Sequence, residues 1–225
     1  MSRSHWRFKS DGRTSSCRQG PSGETASYRS NPLRLAESTL SRKDPGYVER
    51  AKQVQKMYEA SKGAAAEKLP AEIKTIYDVI AAKIDPAAEI ASLADTTGIG
   101  SLVCAVKPGD GSAREQAASC QKVLGTWANI AREYATKRYR SNCINWGILP
   151  LISDRDISTF SLNDYIYLPG IRSVIETGSE AVDAWIIDEG EIRQIRLSIP
   201  DLTEKDRDIL LAGNLINYQS KTPHE

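Results

Sequence analysis

The residue types that could do chemistry gather in one short stretch, Pro108-Gly109-Asp110-Gly111-Ser112-Ala113-Arg114-Glu115-Gln116-Ala117-Ala118. The first N–H groups of a helix have no internal partner, and the helix dipole adds positive potential there, so a glycine bend opening into a helix suits an anion. The Arg114 guanidinium could grip a carboxylate with two parallel hydrogen bonds, or be a solvated first-turn residue. Ser112 could cap the helix, or serve as a base or nucleophile if its surroundings take its proton. No Gly-Lys-Ser/Thr follows the glycines, so a Walker-type phosphate loop is not supported.

The elements around the stretch are legible from pattern. Residues Ile99 to Val106 form an apolar run bounded by glycines, short enough for a buried strand. Pro108, Gly109 and Gly111 break it, and Ala117, Cys120, Gln121 and Leu124 then recur at helical spacing. Ala128 to Ala131 reads as a second strand. The basic residues Arg132, Lys137, Arg138 and Arg140, interleaved with Tyr134 and Tyr139, read as the polar face of a helix rather than a nucleic-acid surface. Ile148 to Ile152 around Pro150 reads as an edge strand or strand end. Asp164 to Leu168 is a third strand, and Ala184 to Ile187 and Ile192 to Ile199 flank a hairpin turn. Thr203 caps a final helix over 204–212, which Gly213 ends. Upstream, 45–62, 70–84 and 87–95 read as helices, the first with Asp44 as its cap and Pro45 in its first turn.

The 225 residues fit one domain, or a domain with an extended arm, and a 40% apolar fraction suffices for a core. Mean hydropathy is -0.43 and there is no apolar stretch of membrane length. A net charge of +1 gives no global bias toward nucleic acid or membrane. The four cysteines (Cys17, Cys104, Cys120, Cys143) include no Cys-x-x-Cys pair, which points to free thiols in a reducing, cytoplasmic setting. His5 and His224 lie near opposite ends, so no metal ligand set is read from this chain.

Gly111-Ser112-Ala113-Arg114-Glu115-Gln116-Ala117-Ala118 resembles the Gly-Ser-Ser-Arg-Glu-His-Ala-Ala signature of the C-terminal swivel domain of the aconitase and isopropylmalate isomerase family. The segment Arg138 to Leu151 is similar to that domain's Asn-x-x-x-x-Gly-Leu-Leu-Pro-Leu segment, and Tyr28-Arg29-Ser30-Asn31-Pro32 to its Arg-Ser-Asn segment. Three motifs in the right order are more specific than any one. The resemblance implies an α/β fold, a swivelling β/β/α sandwich with a helical N-terminal arm. The division it implies is 1–23 disordered or non-homologous, 24–95 helical arm, and 96–225 swivel domain. It also implies Ser112 as the base, Arg29 and Arg114 as carboxylate-binding arginines, and Gly109, Gly111 and Asn142 as supports of the loop. On residues alone, Arg29 could equally be an exposed linker arginine.

Three departures accompany the resemblance. Ala113 stands where the family has a second serine, Gln116 stands for the usual histidine, and only Arg13-Thr14-Ser15-Ser16 occupies the place of a Thr-(Thr/Ser)-Asp segment. The resemblance places a 4Fe-4S cluster on other domains, so this chain is expected to bind no cofactor itself. It would complete a hydro-lyase with a cluster-bearing partner acting on a small hydroxy di- or tricarboxylate. The alternative is a non-catalytic remnant or anion-binding module.

Overall fold

The computed structural model describes residues 3–9 (as backbone), 30–41, 44–162, 164–188 and 190–221. Seven strands close into a barrel in the order β1-β2-β3-β4-β7-β6-β5. They are β1 (Arg3–Lys9), β2 (Thr97–Ala105), β3 (Thr126–Ala131), β4 (Leu149–Ile152), β5 (Tyr165–Leu168), β6 (Ala181–Asp188) and β7 (Glu191–Ser198). Strands β1 to β4 run parallel, and β5, β6 and β7 join antiparallel. The mixed α/β class read from the sequence is what the structure shows.

Period-two alternation fills the barrel. Leu102 and Cys104, Ala128 and Ile130, Leu149 and Leu151, Ile166 and Leu168, and Ile195 and Leu197 share one buried cluster. Gly98 and Gly100 continue the β2 face with no side chain, and the Trp127 indole takes that space. A Cβ on either glycine would sit 2.2 or 2.7 Å from the ring.

The outer face carries the upstream helices α1 (Pro32–Ser41), α2 (Tyr47–Ser61), α3 (Ala71–Lys83) and α4 (Ile90–Thr96). Ile73, Ile76, Ile80 and Leu93 pack with Ile99, Tyr165, Tyr167 and Ile187 of the strands. These helices therefore form a layer packed on the barrel. Tyr47 of α2 reaches the strands through a polar tie, its hydroxyl 2.7 Å from Thr126 Oγ1, which lies 3.1 Å from Ser101 Oγ. Burying these three hydroxyls is tolerable because they satisfy one another.

Two parallel crossovers follow β2. Helix α5 (Arg114–Val123) joins β2 to β3, and α6 (Lys137–Asn145) joins β3 to β4. Each helix starts at the carboxyl ends of the strands and returns the chain to their amino ends. Helix α7 (Ile171–Thr177) follows β5. Helix α8 (Glu204–Ala212) opens with a capping box between Thr203 and Asp206, and α9 (Leu215–Lys221) follows it.

Several expectations need correction. Residues Arg3–Lys9, within the stretch expected to be disordered or non-homologous, form a strand paired with β2 and β5. Helix α2 begins at Tyr47 with Gly46 at its cap, and Asp44 instead accepts the Gly46 N–H through Oδ1 at 3.1 Å. Strand β4 is not an edge. It pairs along its length with β3 and meets β7 only at Ile152 and Ser198, so Pro150 needs no N–H for a second neighbour.

Buried phenols set a pH limit on this fold. Burial pushes the Tyr47, Tyr77 and Tyr134 hydroxyls above the ordinary value of 10.0. A phenol held protonated in the fold but released on unfolding contributes stability present below pH 10 and lost as pH rises through its raised value. Burial lowers Lys122 to about 8 from 10.5, so that amine gives the opposite slope between those two values. Melting temperature by circular dichroism should therefore fall steeply above pH 10.5. Tyr134→Phe should flatten that fall, and an unchanged slope in the variant would contradict this assignment.

Candidate functional site

The site is built from the chain between β2 and α5 and its neighbour between β3 and α6. After Ala105 the two strands part, yet their backbones stay zipped. Glu133 N donates to Val106 O at 3.2 Å and Ala135 N to Pro108 O at 3.0 Å. The next carbonyl, that of Gly109, has no backbone donor in this run and takes two side chains instead. Arg114 Nε donates to it at 3.1 Å and Thr136 Oγ1 at 3.4 Å. The Thr136 hydroxyl also accepts from Tyr139 N at 3.2 Å, which caps α6.

Gly109 is required here for two reasons. Its φ is +93°, and a Cβ would lie 2.4 Å from Cγ of Tyr139. That ring is fully buried and its hydroxyl is fixed. Gln121 Nε2 donates to it at 3.0 Å and Asn129 Nδ2 at 3.3 Å, while Asn129 Nδ2 also lies 3.0 Å from Gln121 Oε1. A network among α5, β3 and α6 thus supports the bend from below.

Ser112 is exposed on the bend and Arg114 is partly buried beside it. Ser112 is not the cap of α5. The cap position is Ala113, with φ -92° and ψ 54° and no side-chain cap hydrogen bond. The Ser112 hydroxyl is therefore not committed to α5 as its cap. The Arg114 guanidinium has five N–H donors, of which Nε is spent on Gly109 O. The two side chains share one short bend at the mouth of a ten-residue helix. That mouth lies at the carboxyl ends of the parallel strands β2 and β3.

Of the other expected residues, Gly111 is buried in the bend. Asn142 sits on α6, where its carbonyl accepts from Trp146 N at 3.1 Å. Trp146 Nε1 in turn donates to Glu115 Oε1 at 2.7 Å, tying the end of α6 to the first turn of α5. Arg29 lies outside the described residues, as do Cys17 and His224. Asn31, of the same motif, caps α1 by accepting Arg34 N at 3.1 Å. Sequence reading missed Thr136, Gln121, Asn129 and Tyr139 as supports. Only Thr136 left a signal, a hydroxyl residue just ahead of a helix.

Among the described residues, the cysteines do not come together. Cys104, Cys120 and Cys143 are each buried, and each belongs to a different apolar cluster. Burial pushes the Cys104 thiol well above its ordinary value, the reverse of what a thiolate ligand needs. Among the described residues, no group of His, Cys, Asp and Glu side chains could hold an iron–sulfur cluster. The tyrosines of the basic segment also turn inward. Tyr139 is buried, and the Tyr134 hydroxyl donates to Asn129 O and Leu151 O, so neither ring is free to stack on a base. Among the described residues, no helix is long and apolar enough to cross a membrane.

A strand, a glycine bend and a helix mouth thus carry Ser112 and Arg114 together. Residues 47–156 match the aconitase C-terminal domain family. The chain is 33% identical over 113 residues to the methanogen homoaconitase small subunit of Methanocaldococcus jannaschii, a match covering 50% of this chain and 57% of that protein. The chain thus spans little more than half the length of this curated relative. A crystal structure of 3-isopropylmalate dehydratase from the same organism aligns with 73% of this chain and 86% of its own, at 22% identity and a TM-score of 0.40.

Gly109→Ala tests the geometry of the bend. The left-handed backbone and the contact with Tyr139 together should cost about 2 kcal/mol or more. A melting temperature within a degree of the parent would contradict the account.

Proposed function

We propose that this chain is the swivel part of an aconitase-like hydro-lyase, supplying a base and carboxylate-binding groups to a cluster-bearing partner. The observation that carries the reading is the exposed Ser112 beside Arg114 on a bend fixed at the mouth of α5. The substrate class is a small hydroxy di- or tricarboxylate, and the setting is cytoplasmic, in keeping with three buried free thiols.

Each residue has a stated task. Arg114, with Nε anchored on Gly109 O, presents its terminal nitrogens to a substrate carboxylate in a preset orientation. The N–H groups of the first turn of α5 add positive potential where negative charge gathers as the proton alpha to that carboxylate departs. Ser112 Oγ receives that proton. Arg29 would hold a second carboxylate. A 4Fe-4S cluster on the partner would supply the Lewis acidity for loss of hydroxide. Ala113 and Gln116, in place of hydroxyl and imidazole, change the groups beside the base and so bear on which acid is accepted.

The alternative is an anion-binding module without turnover, which the replacements at 113 and 116 favour. The two readings separate in one assay. The chain is combined with a cluster-bearing aconitase-like subunit, supplied with citrate or isopropylmalate, and the unsaturated product is followed by ultraviolet absorbance. Turnover is expected in the parent, with Ser112→Ala lowering kcat by roughly 10²- to 10⁴-fold. Arg114→Lys should raise KM about tenfold or more through loss of the bidentate grip. Turnover unchanged in Ser112→Ala refutes the base. Carboxylate binding without turnover in the parent favours the alternative.

A further inference from the structure

A pocket of about 290 Å³ opens at the other end of the barrel, near the amino ends of β3 and β4. Helix α5 runs from the candidate site to this end, so one helix touches both. Trp127, Leu149, Ile175 and Leu210 give it apolar walls. Lys122 and Arg172 are its cations.

Lys122 is the unusual member. Its Nζ donates to Gly147 O at 3.1 Å and stands 5.7 Å from the centre of the Trp127 ring. Among the described residues no carboxylate pairs with it, and burial alone lowers its pKa to about 8. The ammonium has two further N–H donors. Arg172 is half-exposed at the rim, with Nε on Glu176 at 3.2 Å and Nη1 on Leu211 O at 3.3 Å. The backbone here is tightly set, because a Cβ on Gly147, whose φ is +67°, would lie 1.7 Å from Gly213 O.

A half-buried amine without a counter-charge, facing an apolar pocket, is matched by an acid with a small apolar body. We propose that this pocket binds a compact amphipathic monocarboxylate, its carboxylate on Lys122 and its hydrocarbon against Trp127, Leu149, Ile175 and Leu210. The volume admits a ligand of roughly ten non-hydrogen atoms at the ~30 Å³ of a liquid water each. Arg172 at the rim is engaged by Glu176 and Leu211 O, so the apolar walls favour a ligand with a single charge. The site is separate from the bend carrying Ser112, and the inference does not rest on the function proposed above.

The test titrates the purified full chain with 3-methylbutanoate and 4-methylpentanoate, following the Trp127 indole N–H resonance, with the isosteric amides as controls. Saturable shifts at millimolar or lower acid, and at least tenfold weaker binding of the amides, are expected. Lys122→Met, confirmed as folded by its spectrum, should weaken acid binding about tenfold or more. Arg114→Gln should leave it unchanged. No saturable shift in the parent, equal binding of acid and amide, or loss of binding in Arg114→Gln would each overturn the proposal.

Discussion

The carbonyl of Gly109 is the point on which the site depends. It lies where the backbone zipper between the β2 and β3 extensions ends, and it replaces the missing backbone donor with Arg114 Nε and Thr136 Oγ1. One acceptor thereby fixes the start of α5 and the cap of α6 together. It also ties the Arg114 guanidinium to the bend through Nε. A left-handed φ is the only way to aim that carbonyl while the chain passes over the Tyr139 ring, and glycine alone does so without strain.

Stiffness comes from the layer beneath. Gln121, Asn129 and Tyr139 belong to three elements, and their mutual hydrogen bonds register α5 and α6 against β3. A buried polar network whose members pair with one another specifies one arrangement more sharply than apolar packing does. The Trp146–Glu115 hydrogen bond repeats this tie at the far end of α6. The exposed Ser112 thus rides on a bend tied by hydrogen bonds to α5, β3 and α6.

Much of this was readable before any coordinates. The apolar run into β2, the glycines after it and the helical spacing of Ala117, Cys120 and Leu124 sufficed for the strand, bend and helix. The β6–β7 hairpin and the Thr203 box of α8 were equally plain. Barrel closure was not, because β1 lies in a Ser-, Arg- and Gly-rich stretch and pairs with strands nearly a hundred or more residues away. Trp6-Arg7-Phe8-Lys9 does alternate, so a period-two signal existed, but too short to outweigh its surroundings. Ser112 was open to a capping role because hydroxyls favour that position. The helix begins later, at Arg114, which is why the hydroxyl stays free of it. The supports of Tyr139 left no trace, since hydrogen bonds among residues 8 to 18 positions apart have no local pattern.

If a guanidinium tethered by its own loop holds the acid while the neighbouring hydroxyl takes its proton, a bound substrate must show both contacts at once. The direct measurement is an experimental structure of the chain assembled with a cluster-bearing subunit and a hydroxy acid. Arg114 is expected to hold a carboxylate with its terminal nitrogens while Nε stays on Gly109 O, with Ser112 Oγ against the carbon that loses its proton. A substrate seated with either side chain turned away from it would contradict the account.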